Sequence, residues 1–334
     1  MKYLAILFLT ACLSCQSSTH RQAVTTAADT VLYSPLIVPY TDSIQQFPEK
    51  HELYYRRGLL LFNTHPKLAQ TDFEKAGALA PAITDYWAGA GEAALLNNEY
   101  SKAVAHFHQA LQTAPGYGYL QYRLATAMVE NQSYKSADSL ADILAHGQGP
   151  RDQAYYLKAR IAEDRRDTAQ AIKHLTAAIS IAGPHSEYDA VMELGDLLQA
   201  QRSPAALHYY DLAYQLDSTN AEPLYSKGQY EEQLGKTADA VKSYRQAILT
   251  DPGYQAAYMS LGKISMAQQH WKEGVQYFNM AAKTSPTDAA AYYYRASCYE
   301  KLGNKTLAIE DYTKALSFKK AYPEAQQALD RLLK

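Results

Sequence analysis

Ten histidines, three cysteines and several adjacent carboxylates are the residues on which this chain could build chemistry. Their spacing decides against most of it. A metal pair on one helical face needs ligands at i and i+4, whereas His106 and His108 are two apart, point to different sides and have Phe107 between them. No His-Glu-x-x-His string occurs, the remaining histidines are dispersed, and no Cys/His spacing suits a zinc site. There is neither a phosphate-cradling glycine loop nor a Gly-x-Ser-x-Gly elbow. Glu163-Asp164 and Glu231-Glu232 could pair for acid–base work, but on amphipathic helices their expected place is a solvated face. Cys298, flanked by Ala296 and Tyr299, is expected to be a buried small hydrophobe rather than a nucleophile. The expectation is a chain that is not an enzyme and holds no metal and no cofactor.

The charge pattern narrows the partners. Across 334 residues, 32 basic and 34 acidic side chains leave a net charge of -2, with no block of like sign. A phosphate backbone, which binds by counterion release to clustered lysine and arginine, has no footprint here, so nucleic acid is not an expected partner. The 29 tyrosines against 7 phenylalanines need a positional explanation, because tyrosine combines apolar area with a hydroxyl and suits half-buried binding faces.

The other two cysteines lie in the first fifteen residues. Met1-Lys2, the apolar run Tyr3 to Leu9 and the small residues before a cysteine form a secretory leader. The run is too short to span a bilayer, which takes about 20 residues. It resembles a bacterial lipoprotein signal, with Leu9-Thr10-Ala11-Cys12 matching the pattern residue by residue and Cys15, after Ser14, as the alternative. That resemblance implies lipidation at Cys12 or Cys15. It also implies export across the inner membrane and, with no aspartate after either cysteine, the outer membrane; with no acidic cluster after the cysteine, its periplasmic side is expected. An ordinary cleaved leader, leaving a soluble periplasmic protein, is the other reading. Residues 16–38, rich in Ser, Thr, Ala and Gln, read as a flexible tether reaching about 25–30 Å.

From residue 50 the sequence repeats with a period of 34. In the unit Thr84 to Tyr117, Trp87, Ala90, Gly91 and Ala94 share one helical face, Ala103, Phe107 and Ala110 a second, and Pro115 closes it. The pattern returns as Tyr155, Ala159, Ala171, Leu175 and Ala178, as Tyr258, Gly262, Phe278 and Ala281, and as Tyr292, Ala296, Ala308, Tyr312 and Ala315. Tyr54, Gly58, Phe73 and Val191, Gly195, Tyr210 mark units one residue shorter. Small residues let two antiparallel helices approach, aromatics fill the space beside them, and proline or Gly183 ends the second helix.

About eight such units, over residues 50–320, closely resemble the tetratricopeptide repeat. The resemblance implies an all-α, right-handed superhelical solenoid of antiparallel helix pairs. Residues 39–49 and 321–334 are expected to be capping helices, the latter with Ala325, Ala328, Leu329, Leu332 and Leu333 as its apolar face.

Adjacent helical residues point about 100° apart, so in Tyr54-Tyr55, Tyr155-Tyr156 and Tyr292-Tyr293 only one of each pair enters the core stripe. In the family the other direction is the concave groove. The same position through the units holds Tyr55, Ala88, Tyr122, Tyr156, Met192, Tyr225, Met259 and Tyr293. One turn on stand Glu92, Thr126, Arg160, Asp196, Gln229, Lys263 and Ser297. Rigid aromatics beside mixed polar groups make a binding surface, which implies a scaffold that takes a protein or peptide partner there. A glycan or cell-wall polymer, stacked on the tyrosines, is the alternative ligand. The family's carboxylate clamp uses lysine and asparagine, where this chain has Tyr55 and Leu59 or Tyr122 and Thr126, so binding of a chaperone tail is not implied.

Overall fold

The computed structural model describes residues 27–147 and 149–334. The leader, Cys12, Cys15 and the first part of the expected tether lie outside the described residues. Among those described there is no strand, and the chain forms two compact units.

The first unit, through Pro115, contains α1 (Ala27–Leu32), α2 (Val38–Gln46), α3 (His51–Leu61), α4 (Pro66–Leu79), α5 (Thr84–Leu96) and α6 (Tyr100–Thr113). The pairs α3–α4 and α5–α6 are antiparallel hairpins, and α4 packs on α5. The second unit, Gly116–Lys334, contains α7 (Gly118–Glu130), α8 (Tyr134–His146), α9 (Arg151–Asp164), α10 (Thr168–Ala182), α11 (Tyr188–Ala200) and α12 (Ala206–Leu216). It continues with α13 (Glu222–Gln233), α14 (Thr237–Thr250), α15 (Gln255–Ala267), α16 (Trp271–Thr284), α17 (Ala289–Lys301), α18 (Lys305–Phe318) and α19 (Pro323–Leu333). Here too each odd-numbered helix from α7 to α17 pairs with the next, and each second helix packs on the following first helix. Eight hairpins result, two in the first unit and six in the second, each unit a helical solenoid.

Size complementarity sets each hairpin. A Cβ on Gly58 would stand 2.7 Å from the Phe73 ring, on Gly91 2.8 Å from Phe107, on Gly195 2.9 Å from Tyr210, on Gly228 2.7 Å from Tyr244, and on Gly262 2.6 Å from Phe278. Those five rings are buried. Where the second helix offers Ala141 or Leu175 instead, the facing residue is Ala125 or Ala159. Ala296 with Tyr312 is the exception.

Outside α3–α4, the turn inside each hairpin uses one left-handed residue. Gly235 and Gly303 supply it at φ 74° and 78°, but Asn98, Gln132, Arg166, Arg202 and Gln269 adopt it at 56–61° despite their side chains. Gly183 ends α10 at φ 56°.

Three expectations need correction. The tether does not run unfolded to residue 38: Ala27–Leu32 is helical, and Ile37 is buried with Phe73, Leu61 and the flanks Val31 and Leu32, because its last residues carry enough apolar area to cover the open end of the first hairpin. Trp87 is only half-buried, its ring stacked on His106 and its indole N–H donating to the Pro81 carbonyl at 3.2 Å, while Tyr86 takes the buried place. In the C-terminal cap Ala325, Ala328, Leu329 and Leu332 pack as expected, whereas Leu333 is exposed.

Candidate functional site

The first helices carry the tyrosine ladder, and the structure gathers part of it. In the second unit Tyr122 on α7 and Tyr156 on α9 line one cavity of about 300 Å³, with Gln153, Ile179, Ala182 and Ala190. Asp152, Glu187 and Asp189 also stand on its wall. A second cavity of about 600 Å³ shares Tyr156 and Asp189 and adds Arg160, Met192, Glu193, Asp196, Leu197 and Glu222. Four of the expected groove residues, Tyr122, Tyr156, Arg160 and Met192, therefore surround two adjoining cavities. These are contributed chiefly by α9 and α11, with Ala178, Ile179 and Ala182 of α10, Tyr122 of α7 and Glu222 at the start of α13.

The other members of the ladder sit elsewhere. Tyr55, in the first unit, packs against Phe73 and Tyr86 with ring centroids 5.6 and 4.8 Å apart. Tyr225 lies between Tyr244 and Tyr254 and accepts from the Gln229 amide at 3.0 Å. Met259 is buried in the core formed with Phe278 and Tyr292. Tyr293 is locked among Tyr294, Tyr312 and Tyr322. Lys263 is exposed and holds its ammonium 5.3 Å from the Tyr294 ring centroid. Tyr55, Tyr225, Met259 and Tyr293 pack helix against helix, and of the five only Lys263 is exposed.

Electrostatics distinguishes the two cavities from the rest of the chain. Arg160 is paired with Glu130 at 3.1 Å. Glu193 is half-buried and shares a hydrogen bond with the Glu163 carboxyl; burial, then that neighbour, pushes its pKa from the ordinary 4.5 to about 8. Asp196 accepts from the Tyr210 hydroxyl at 2.8 Å. The carboxylates at Asp152, Glu187, Asp189, Glu193 and Glu222 were not singled out in the sequence. They lie a turn or less from the ladder on the same helices or at the lead into α11, so extending the ladder by one turn toward each N-terminus would have found most of them.

Candidate chemistry elsewhere resolves into structure. His106 binds Glu74 at 2.9 Å, and His108 is exposed. Glu231 does not sit on a solvated face: it is buried and accepts from the Ser243 hydroxyl at 2.6 Å, while Glu232 accepts from Tyr244. Cys298 is fully buried, and burial pushes its thiol up to about 12. Among the described residues no group of histidine, cysteine and carboxylate side chains could hold a metal ion, and no helix is long and apolar enough to cross a membrane.

Comparison with known proteins accounts for this architecture. Tetratricopeptide repeat families match residues 94–161, 156–221 with 225–289, and 289–331. Tetratricopeptide repeat protein 6 of Homo sapiens is 30% identical over 42% of this chain and 28% of its own length. The Hsp70-Hsp90 organizing protein of Triticum aestivum is 24% identical over 70% of this chain and 35% of its own. A probable UDP-N-acetylglucosamine–peptide N-acetylglucosaminyltransferase, SPINDLY, of Hordeum vulgare is 28% identical over 47% of this chain but only 17% of its own. The chain thus spans well under half the length of these curated relatives. The solved C-terminal part of a TPR repeat-containing protein from Cytophaga hutchinsonii superposes with a TM-score of 0.59 at 17% identity, covering 74% of this chain and 99% of that one, which is agreement of fold. With eight helical hairpins of this design and matches running from residue 94 to residue 331, the chain belongs to the tetratricopeptide repeat family.

Proposed function

We propose that this protein is a non-catalytic scaffold that binds a protein partner on the groove face of its second unit, and that a lipid on Cys12 or Cys15 holds it in the bacterial envelope. The observation that carries the binding reading is the pair of adjoining cavities between Tyr122, Tyr156 and Met192, an apolar and aromatic recess rimmed by charge on a rigid helical frame. Relatives named for organising Hsp70 and Hsp90 support an interaction role. The same chaperone ligands do not follow, since Tyr122 and Thr126 occupy places where the family's clamp has other residues. The proposed location is the periplasmic side of the outer membrane, and its support is the cationic, apolar and cysteine-bearing order of residues 1–15.

The test is isolation of the protein from its native membrane in mild detergent, beside a variant with the cavity residues Tyr122 and Tyr156 replaced by alanine. A protein that accompanies the native form and is missing from the variant supports the groove. Identical companions would overturn it, and retention on purified cell-wall glycan without protein would favour the glycan reading. Incorporation of labelled palmitate that disappears in the Cys12→Ser or Cys15→Ser variant tests the anchor, and no incorporation in the native chain would remove it.

A further inference from the structure

The charge around the two cavities points to the class of partner. Asp152, Glu187, Asp189, Glu193, Asp196 and Glu222 line them, against the single cation Arg160, which is already committed to Glu130. Among the described residues none of those six carboxylates is in ion-pair contact with a lysine or arginine. Elsewhere the chain supplies such partners freely: Arg57 to Asp72, Lys158 to Asp138 and Asp142, Lys227 to Asp211, Arg295 to Asp311 and Arg331 to Glu300. The near balance of 32 basic and 34 acidic residues makes this concentration local to the groove. Four of those six carboxylates, Glu187, Asp189, Asp196 and Glu222, are exposed, so the cations of a bound partner can reach them. Glu193 is held protonated by burial and by its bond to Glu163 in spite of Arg160, so the acidic charge of the groove rests on the other five carboxyls.

We propose that the groove of the second unit takes an extended, lysine- or arginine-bearing polypeptide segment, with an apolar side chain seated between Tyr122 and Tyr156 and basic side chains set against Asp189, Asp196 and Glu222. This rests on the groove reading given above and deepens it. The apolar part follows from the smaller cavity, whose wall of Tyr122, Tyr156, Ile179, Ala182 and Ala190 suits an aliphatic or aromatic side chain. The polypeptide form follows from reach. Four successive first helices at 8–10 Å spacing span about 25–30 Å, the length of about eight or nine extended residues, well beyond a single small cation. Among the described residues no cluster offers a metal site that would absorb the charge instead.

The experiment is fluorescence anisotropy with the full chain and three labelled nine-residue peptides: alternating lysine and leucine, the same with glutamate for lysine, and the same with serine for lysine. The lysine peptide should bind at least tenfold more tightly than the glutamate and serine peptides, and the advantage should shrink as salt is raised. Asp189→Asn combined with Asp196→Asn should weaken the lysine peptide at least tenfold, with unchanged helicity and unfolding midpoint. Tyr122→Ala with Tyr156→Ala should weaken the lysine and serine peptides alike. Equal affinity for the lysine and glutamate peptides overturns the proposal without protein variants being needed. Displacement of the peptide by spermidine at equal concentration overturns the polypeptide reading in favour of a small polycation. If a natural partner depends on Tyr122 and Tyr156 but not on Asp189 and Asp196, the groove reading stands and the basic partner falls. Binding of the lysine peptide that ignores all four residues places the contact elsewhere and overturns both.

Discussion

Arg57 donates through Nε and Nη2 to both oxygens of Asp72, at 2.8 and 2.7 Å, and its Nη1 reaches Thr41 of α2 at 3.1 Å. The same fork recurs in the second unit, where Arg295 holds both oxygens of Asp311 at 2.7 Å and Nη1 donates to Asn279 at 2.8 Å. Each arginine ties the two helices of its own hairpin and reaches the helix before it. Both aspartates are buried. Removing one partner strands a buried charge, so Asp311→Ala is expected to lower the unfolding free energy by about 3–5 kcal/mol. Replacing both, Arg295→Met with Asp311→Leu, should cost clearly less. Urea unfolding of the single and double variants checks this, and a double variant as unstable as the single one would contradict it.

Gly262→Ala tests the notch in the hairpin. The new methyl carbon would stand 2.6 Å from the Phe278 ring, which is fully buried and cannot swing away. The expected loss is about 1–3 kcal/mol, the ordinary cost of overpacking. Phe278→Leu should recover part of it, because the pair Ala159 with Leu175 already shows that an alanine suits a leucine at these places. Thermal unfolding of the three forms decides it; a double variant less stable than Gly262→Ala alone would show that the notch is not the cause.

Repetition made the fold legible. Eight copies of one small-and-aromatic pattern average away local ambiguity, and the hairpins fall where Gly58, Gly91, Gly195, Gly228 and Gly262 meet their aromatic partners. The tyrosine excess was legible only in part. Its groove members Tyr122 and Tyr156 follow from the 100° step, but Tyr210, Tyr244 and Tyr312 are core residues whose hydroxyls find acceptors at Gln199 and Asp196, at Glu232 and at Glu300. Periodicity shows which face a residue takes and is silent on which distant acceptor makes a buried hydroxyl tolerable. The same gap hid Glu231, buried because Ser243 comes within 2.6 Å. The residues at the cavities, such as Ile179 and Glu187, come from a second helix and a connection rather than from the ladder, so no single helical face could announce them.

The left-handed turns offer a stabilising change. Arg202 adopts φ 56° where Gly235 and Gly303 serve the same turn in other hairpins. A side chain in that region costs about 1–2 kcal/mol, and glycine gives back about 0.5–1 kcal/mol through the freer unfolded chain. Arg202→Gly should therefore raise the unfolding midpoint slightly, and Gly235→Ala should lower it by a larger step. Chemical denaturation monitored by helicity measures both, and a gain from Gly235→Ala would refute the assignment.

Glu193 gives the chain a pH signature of known sign. Its carboxyl is desolvated on α11, bonded to Glu163 of α9 and repelled by Asp189, with Arg160 the one nearby group that favours ionisation. The folded pKa of about 8 lies above the unfolded value near 4.5, so folding retains a proton that the unfolded chain gives up. The protonated carboxyl costs nothing below about pH 4.5, where both states hold the proton. Between about 4.5 and 8 the unfolded chain alone ionises, and native stability falls as pH rises; above 8 the deficit is constant. Glu193→Gln keeps a neutral hydrogen-bonding side chain at all these pH values. Its stability relative to the native chain should be unchanged near pH 4 and should grow steadily toward pH 8. Unfolding midpoints of the two forms at matched ionic strength read the difference. A constant offset across that range would mean that Glu193 ionises at its ordinary value, and that the Glu163 pair is held apart by solvent rather than sharing a proton.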